Sequence, residues 1–99
     1  MPALIIARIT VHDADRMQAY GAAAGPTVAA HGGEFVARGK FAASLLGDGD
    51  GDGDAPNVAV IRFSSVDAAK AWFASPEYQA LAELRSAAAD MEFTLYEAA

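Results

Sequence analysis

The chain has 99 residues, 54% of them hydrophobic and 20% charged, with a formal net charge of −6 and no cysteine. That suffices for one hydrophobic core and is too little for two domains of ordinary size, so residues 1–99 are expected to form a single domain. An acidic chain has no general attraction for nucleic acid or for an anionic membrane surface. The lack of cysteine excludes disulfides and thiolate ligands and fits a cytoplasmic location.

The opening stretch Met1-Pro2-Ala3-Leu4-Ile5-Ile6-Ala7-Arg8 has no basic region before its apolar run, and Arg8 ends that run early. It reads as a strand over 3–11, not as a signal peptide or a membrane span. Asp13 can cap the Ala-rich segment that follows, in which Met17, Tyr20, Ala24, Val28 and His31 recur at helical spacing. Gly25-Pro26 is expected to break or kink this helix, and Gly32-Gly33 to end it. Residues 34–41 alternate as a strand that residues 42–46 could extend, and a second strand is predicted over 58–63.

Between these two strands, Asp48 to Asp54 alternates Asp and Gly, and its four Asp supply much of the net charge. Such a segment has high chain entropy and repels itself, so a flexible loop is expected. Asp48-Gly49-Asp50-Gly51-Asp52-Gly53 matches the first six positions of a calcium loop. The pattern then fails, because the twelfth position falls on Ala59 and the flanks read as strands; no metal site is expected.

Ser64 or Ser65 caps a helix carrying Val66, Ala69, Trp72 and Phe73. Ser75-Pro76-Glu77 then supplies a fresh cap, an N1 proline and a first-turn acid for a segment carrying Tyr78, Leu81, Leu84 and Arg85. Residues 91–96 alternate as a last strand. The order βαββαβ predicts an α+β, ferredoxin-like fold, an antiparallel sheet with its helices on one face.

Strand alternation puts Ile5, Ala7, Ile9, Ala59, Ile61, Phe63, Met91, Phe93 and Leu95 under the helices. The other face would carry Leu4, Ile6, Arg8 and Thr10, then Val36, Arg38 and Lys40, then Val58, Val60 and Arg62, then Glu92, Thr94 and Tyr96. It is too apolar for open water and too charged for a core, which suits two sheets packed face to face over a polar cavity in a homodimer. Four cations, Arg8, Arg38, Lys40 and Arg62, would there meet two acids, Glu34 and Glu92. Either they pair with those acids, or the excess holds a small organic anion through arginine forks.

The residues reached so far resemble the DUF1330 family of small proteins of unassigned activity, within the dimeric α/β-barrel group. The pattern runs through Tyr20, His31-Gly32-Gly33-Glu34-Phe35-Val36-Ala37-Arg38-Gly39, Phe63-Ser64, Ala69, Trp72, Ser75-Pro76-Glu77-Tyr78-Gln79 and Arg85. It covers essentially the whole chain and implies the fold and a dimer. Leu46 and Arg62 depart from it, standing where the family commonly has acidic residues.

His31 can complement the C-terminus of its helix or serve as a base at a cavity rim. Tyr20 is a second candidate proton carrier, and His12 reads as surface. Arg38, with Arg62 and Arg8, is the candidate anion site. Trp72 and Tyr78 are candidate ligand contacts whose ordinary role is packing, and Arg85 is expected to pair with Glu77 or Glu83. No serine has a Gly-x-Ser-x-Gly context, and neither a phosphate loop nor a flavin fingerprint occurs, so no cofactor is expected. Three functions fit: a homodimer binding a small organic anion between its sheets, a cofactor-independent monooxygenase or isomerase, and a structural or regulatory dimer without a ligand.

Overall fold

The computed structural model describes residues 1–47 and 57–98. The Asp-Gly segment, with the loop behaviour and partial calcium pattern read from it, lies outside the described residues. The elements are β1 (Ala3–Val11), α1 (Ala14–Ala30), β2 (Glu34–Lys40), β3 (Asn57–Phe63), α2 (Val66–Ala74), α3 (Pro76–Gln79), α4 (Ala82–Ala88) and β4 (Ala89–Glu97). They form a four-stranded antiparallel sheet in the order β2-β3-β1-β4. This is the expected α+β, ferredoxin-like arrangement.

Local chemistry sets most boundaries. The Asp13 carboxylate accepts from the Arg16 amide at 3.1 Å and starts α1, and Ser65 accepts from the Ala68 amide at 3.0 Å and starts α2. Helix α1 ends where Gly32 takes φ 76° and the Gly32 and Gly33 amides donate back to Ala29 and Val28 carbonyls at 3.0 and 2.9 Å. Ser75 works twice: its hydroxyl donates to the Trp72 carbonyl at 2.7 Å and accepts from the Tyr78 amide at 3.3 Å, joining the end of α2 to α3.

Three expectations need correction. Helix α1 runs unbroken through Gly25-Pro26. Proline removes the bond to the Ala22 carbonyl, but Ala22 and Pro26 are both exposed, so water replaces what the helix loses. The segment after Ser75 is two short helices joined by a turn at Ala80 and Leu81. Residues 42–46 add no strand, and Leu45 and Leu46 are almost fully exposed.

The core joins Ile5, Ile61 and Phe63 of the sheet to Tyr20, Ala24 and Val28 of α1, and to Ala69, Trp72, Tyr78 and Ala88. Trp72 is its centre, with ring centroids 5.6 Å from Phe63, 4.3 Å from Tyr78 and 6.1 Å from Phe93. Strand β1 alternates buried and half-buried residues from Ala3 to Thr10, the pattern of a strand with two different faces.

Strand β2 departs from simple alternation. Phe35 pairs with Ile61, but Ala37 and not Val36 pairs with Val60, so Val36 is an extra residue in a bulge. Beyond it the faces exchange: Arg38 stands opposite Ala59 and Lys40 opposite Asn57. Arg38 and Lys40 therefore lie on the helix side of the sheet, correcting their expected place on the open face with Arg8 and Arg62.

Candidate functional site

Successive rows across the helix side of the sheet explain where a cavity forms. Register places Lys40, Asn57, Ile9 and Met91 in one row, Arg38, Ala59, Ala7 and Phe93 in the next, and Phe35, Ile61, Ile5 and Leu95 in the third. The middle row has two alanines at its centre. Helix α1, which packs on α3 and α4, presents Ala14, Gly21 and Ala22 to the same space. Small side chains on both walls leave a cleft of about 990 Å3 between α1 and the sheet.

The cleft is apolar in its depth and cationic at one end. Met17, Tyr20, Val28, Trp72, Met91 and Phe93 line it, whereas Arg38, Lys40, Asn57 and Gln18 supply its polar groups. Those four belong to the end where β1 and β2 finish and α1 and β3 begin. The Arg38 guanidinium lies 4.5 Å from the centre of the Phe35 ring, a cation–π contact made possible by the bulge between them. Among the described residues no carboxylate pairs with Arg38 or Lys40.

The other two arginines stay on the open face and do not border the cleft. Arg62 pairs with Glu34 at 3.5 Å and Arg8 with Glu92 at 4.0 Å, each across adjacent strands in register. The bulge thus divides the four cations: two have acids, and the two that have none among the described residues stand at the cleft. The cavity formed by the described residues is on the helix side of the sheet.

His31 does not border the cleft either. It is the C-cap of α1 and meets the Glu77 carboxylate at 2.9 Å. That hydrogen bond, and after it one involving Ser75, holds the Glu77 carboxyl below its ordinary value of 4.5. His12 pairs with Asp90 at 3.0 Å. Among the described residues no histidine, aspartate or glutamate lines the cleft, and no group of three such side chains could hold a metal ion.

Tyr20 lines the cleft and is 7% exposed, and Tyr78 behind it is 0% exposed. Their hydroxyl oxygens are 2.7 Å apart, and Arg85 Nη1 donates to the Tyr78 hydroxyl at 3.1 Å. Arg85 also lies over the rings of Tyr78 and Phe73, at 5.5 and 5.9 Å. Its partners are aromatic, which corrects the expected pairing with Glu77 or Glu83. Trp72 forms part of the inner wall, and its Nε1 donates to Thr27 Oγ1 at 3.0 Å.

Sequence pattern alone passed over Phe35, Gln18 and Asn57. For Phe35 a signal existed: Phe35-Val36 sets two large apolar residues side by side in an otherwise alternating strand, which is where a bulge fits. Gln18 and Asn57 carry no such mark.

Known structures share this fold. A protein of unknown function from Rhodopseudomonas palustris superposes with a TM-score of 0.80 at 23% identity, over 99% of this chain and 82% of that one. SnoaB, a cofactor-independent oxygenase from Streptomyces nogalater, superposes with a TM-score of 0.70 at 22% identity, over 99% and 93% of the two chains. A dimeric ferredoxin-like protein of unknown function from Thermobifida fusca gives 0.59 at 22% identity, over 97% and 90%. No curated protein matches the sequence. The model of the family described as Domain of unknown function (DUF1330) matches residues 2–99, and the chain belongs to that family.

Proposed function

We propose that this chain binds an organic anion with an apolar, ring-sized body, the body in the cleft and the charge against Arg38 and Lys40. The observation that carries the reading is the coincidence, at the polar end of an otherwise apolar cavity, of two cations that have no acid partner among the described residues. Ligand sites commonly have this form, with volumes of roughly 300–1,000 Å3, apolar walls and a few placed polar groups. Arg38 suits a carboxylate or enolate because its fork donates two parallel bonds. Trp72 is the single tryptophan and borders the cleft, so titration with 2-naphthoate should change its fluorescence saturably. A flat response to naphthoate and to a panel of other aryl and alkyl carboxylates would remove the proposal.

The molecule is a homodimer in this reading. Leu4, Ile6 and Val60 are only half-buried on the open face, Val58 beside them is exposed, and similar structures from Thermobifida fusca and Bacteroides fragilis are described as dimeric. A partner's sheet would cover this face.

A second reading, oxygenation of a bound phenol or enol without a cofactor, is favoured by the fold shared with SnoaB and by the aromatic cleft walls. It needs a group to remove the ligand's proton, and among the described residues the cleft lining offers no histidine or carboxylate for this. Binding is the reading preferred. Oxygen uptake with phenols and naphthols separates the two.

A further inference from the structure

We infer that the cleft's ligand carries a hydrogen-bond acceptor, a ketone or phenolic oxygen on its apolar body, and that the Tyr20 hydroxyl donates to it. The inference rests on the binding reading above and deepens it, adding a second polar point on the inner wall to the cationic end.

Arg85 has no acceptor capacity, so in its contact with Tyr78 it donates. Tyr20 and Tyr78 share one hydrogen bond between two hydroxyls, and the described residues provide no other acceptor for either. If Tyr20 donates, the Tyr78 proton is stranded inside the core; if Tyr78 donates, the spare proton is that of Tyr20. A buried donor without an acceptor is costly, and Tyr78 is wholly buried and does not border the cleft, whereas Tyr20 does. The favourable order is therefore Arg85 to Tyr78 to Tyr20, with the last proton available to a guest in the cleft.

Two further features fit a donor role. Burial, and after it the hydrogen bond to Tyr78, push the Tyr20 hydroxyl far above its ordinary value, so it stays protonated and cannot serve as a base near neutrality. The other hydrogen-bonding group of the inner wall is already engaged: the Trp72 N–H is given to Thr27, whose hydroxyl donates to the Ala24 carbonyl at 2.7 Å.

The test compares 2-acetylnaphthalene with 2-isopropenylnaphthalene, of similar shape but without the carbonyl acceptor, by Trp72 fluorescence. In the unaltered protein the ketone should bind about tenfold more tightly than the hydrocarbon, the scale of one hydrogen bond. Tyr20→Phe should erase that difference while leaving the hydrocarbon's affinity unchanged, which also reports an intact cleft. Tyr78→Phe, which keeps the Tyr20 hydroxyl, should preserve the difference. Should Tyr20→Phe not fold, the carbonyl stretch of the ketone bound to the unaltered protein decides: a shift to lower wavenumber than in alkane supports the inference, and no shift overturns it. Equal affinities in the unaltered protein, or a difference that survives Tyr20→Phe, overturn the role of Tyr20 and leave the cleft reading standing if 2-naphthoate binds. If 2-naphthoate and both neutral probes fail to bind, the cleft reading falls and this inference with it.

Discussion

Arg38 lies on the ring of Phe35, 4.5 Å from its centre, although three positions separate them in a strand. In a regular strand residues i and i+3 point to opposite faces. The extra residue Val36 brings these two to the same one and aims a guanidinium at the end of an apolar cleft. Bulges are a known means of re-aiming a side chain, and the functional account depends on this one.

The hollow itself depends on small residues in the sheet's middle row. Ala59→Leu adds a branched side chain facing α1 across the cleft, where Ala59 now lines the wall. The variant should remain folded, because it fills open space, and should lose 2-naphthoate binding. Fluorescence titration and far-ultraviolet circular dichroism read both. Retained affinity would place the ligand elsewhere.

Gly32 and Gly33 should fail differently on replacement by alanine. A Cβ on Gly33 would stand 2.6 Å from Phe63 Cε1 and 2.7 Å from Val28 Cγ1, both side chains being 1% exposed. Overpacking there should cost about 1–3 kcal/mol. A Cβ on Gly32 would meet nothing, but φ of 76° is strained for alanine, a cost of about 1–2 kcal/mol. Guanidinium unfolding measures both. Gly32→Asn, which tolerates that conformation, should recover part of the loss, and Gly33→Asn should not.

Stability should fall in acid partly through Glu77. Its carboxyl sits below the ordinary value of 4.5 in the folded chain because His31 and Ser75 hydrogen-bond to it. A carboxyl held low in the folded state contributes stability above its unfolded value, and loses it as pH falls through the folded one. The Glu77 carboxylate is exposed, so the effect is small. Melting temperature followed from about pH 6 down to about pH 3 should decline less steeply for Glu77→Gln than for the unaltered chain. Parallel curves would show that the contact contributes nothing.

Light scattering at micromolar concentration should give the mass of a dimer. Val60→Asp puts a charge on the half-buried open face, and an unpaired charge is costly where a partner would exclude water. The variant should run as a folded monomer, or unfold if the monomer cannot stand alone. A dimer mass unchanged by Val60→Asp would move the interface off this face.

Much of the fold is legible in the residues because local and global preferences agree in them. Strand β1 alternates from Ala3 to Thr10, Asp13, Ser65 and Ser75 each cap the helix their spacing announces, and Gly32-Gly33 closes α1. What misleads is contextual. Pro26 reads as a break, yet the carbonyl it leaves unpaired faces water. Arg38 reads as an open-face residue because strict alternation runs straight through Phe35-Val36, the pair of adjacent apolar residues where the bulge falls. Arg85 reads as half of an ion pair because its spacing offers acids, and only the packed chain shows two aromatic rings and a buried hydroxyl closer to hand. The cleft is less legible still, since alanines within strands and helix signal good packing when taken one at a time; only register puts Ala7 and Ala59 side by side.

The central claim is that Arg38 holds the ligand's charge while Arg62 does not. Calorimetric titration of 2-naphthoate into the unaltered protein, Arg38→Ala and Arg62→Ala tests it directly. Loss of a charge-assisted bond should weaken binding about tenfold or more in Arg38→Ala, and Arg62→Ala should match the unaltered protein, because Arg62 is on the far face with Glu34. Equal affinities for the unaltered protein and Arg38→Ala, or a loss confined to Arg62→Ala, would contradict the account.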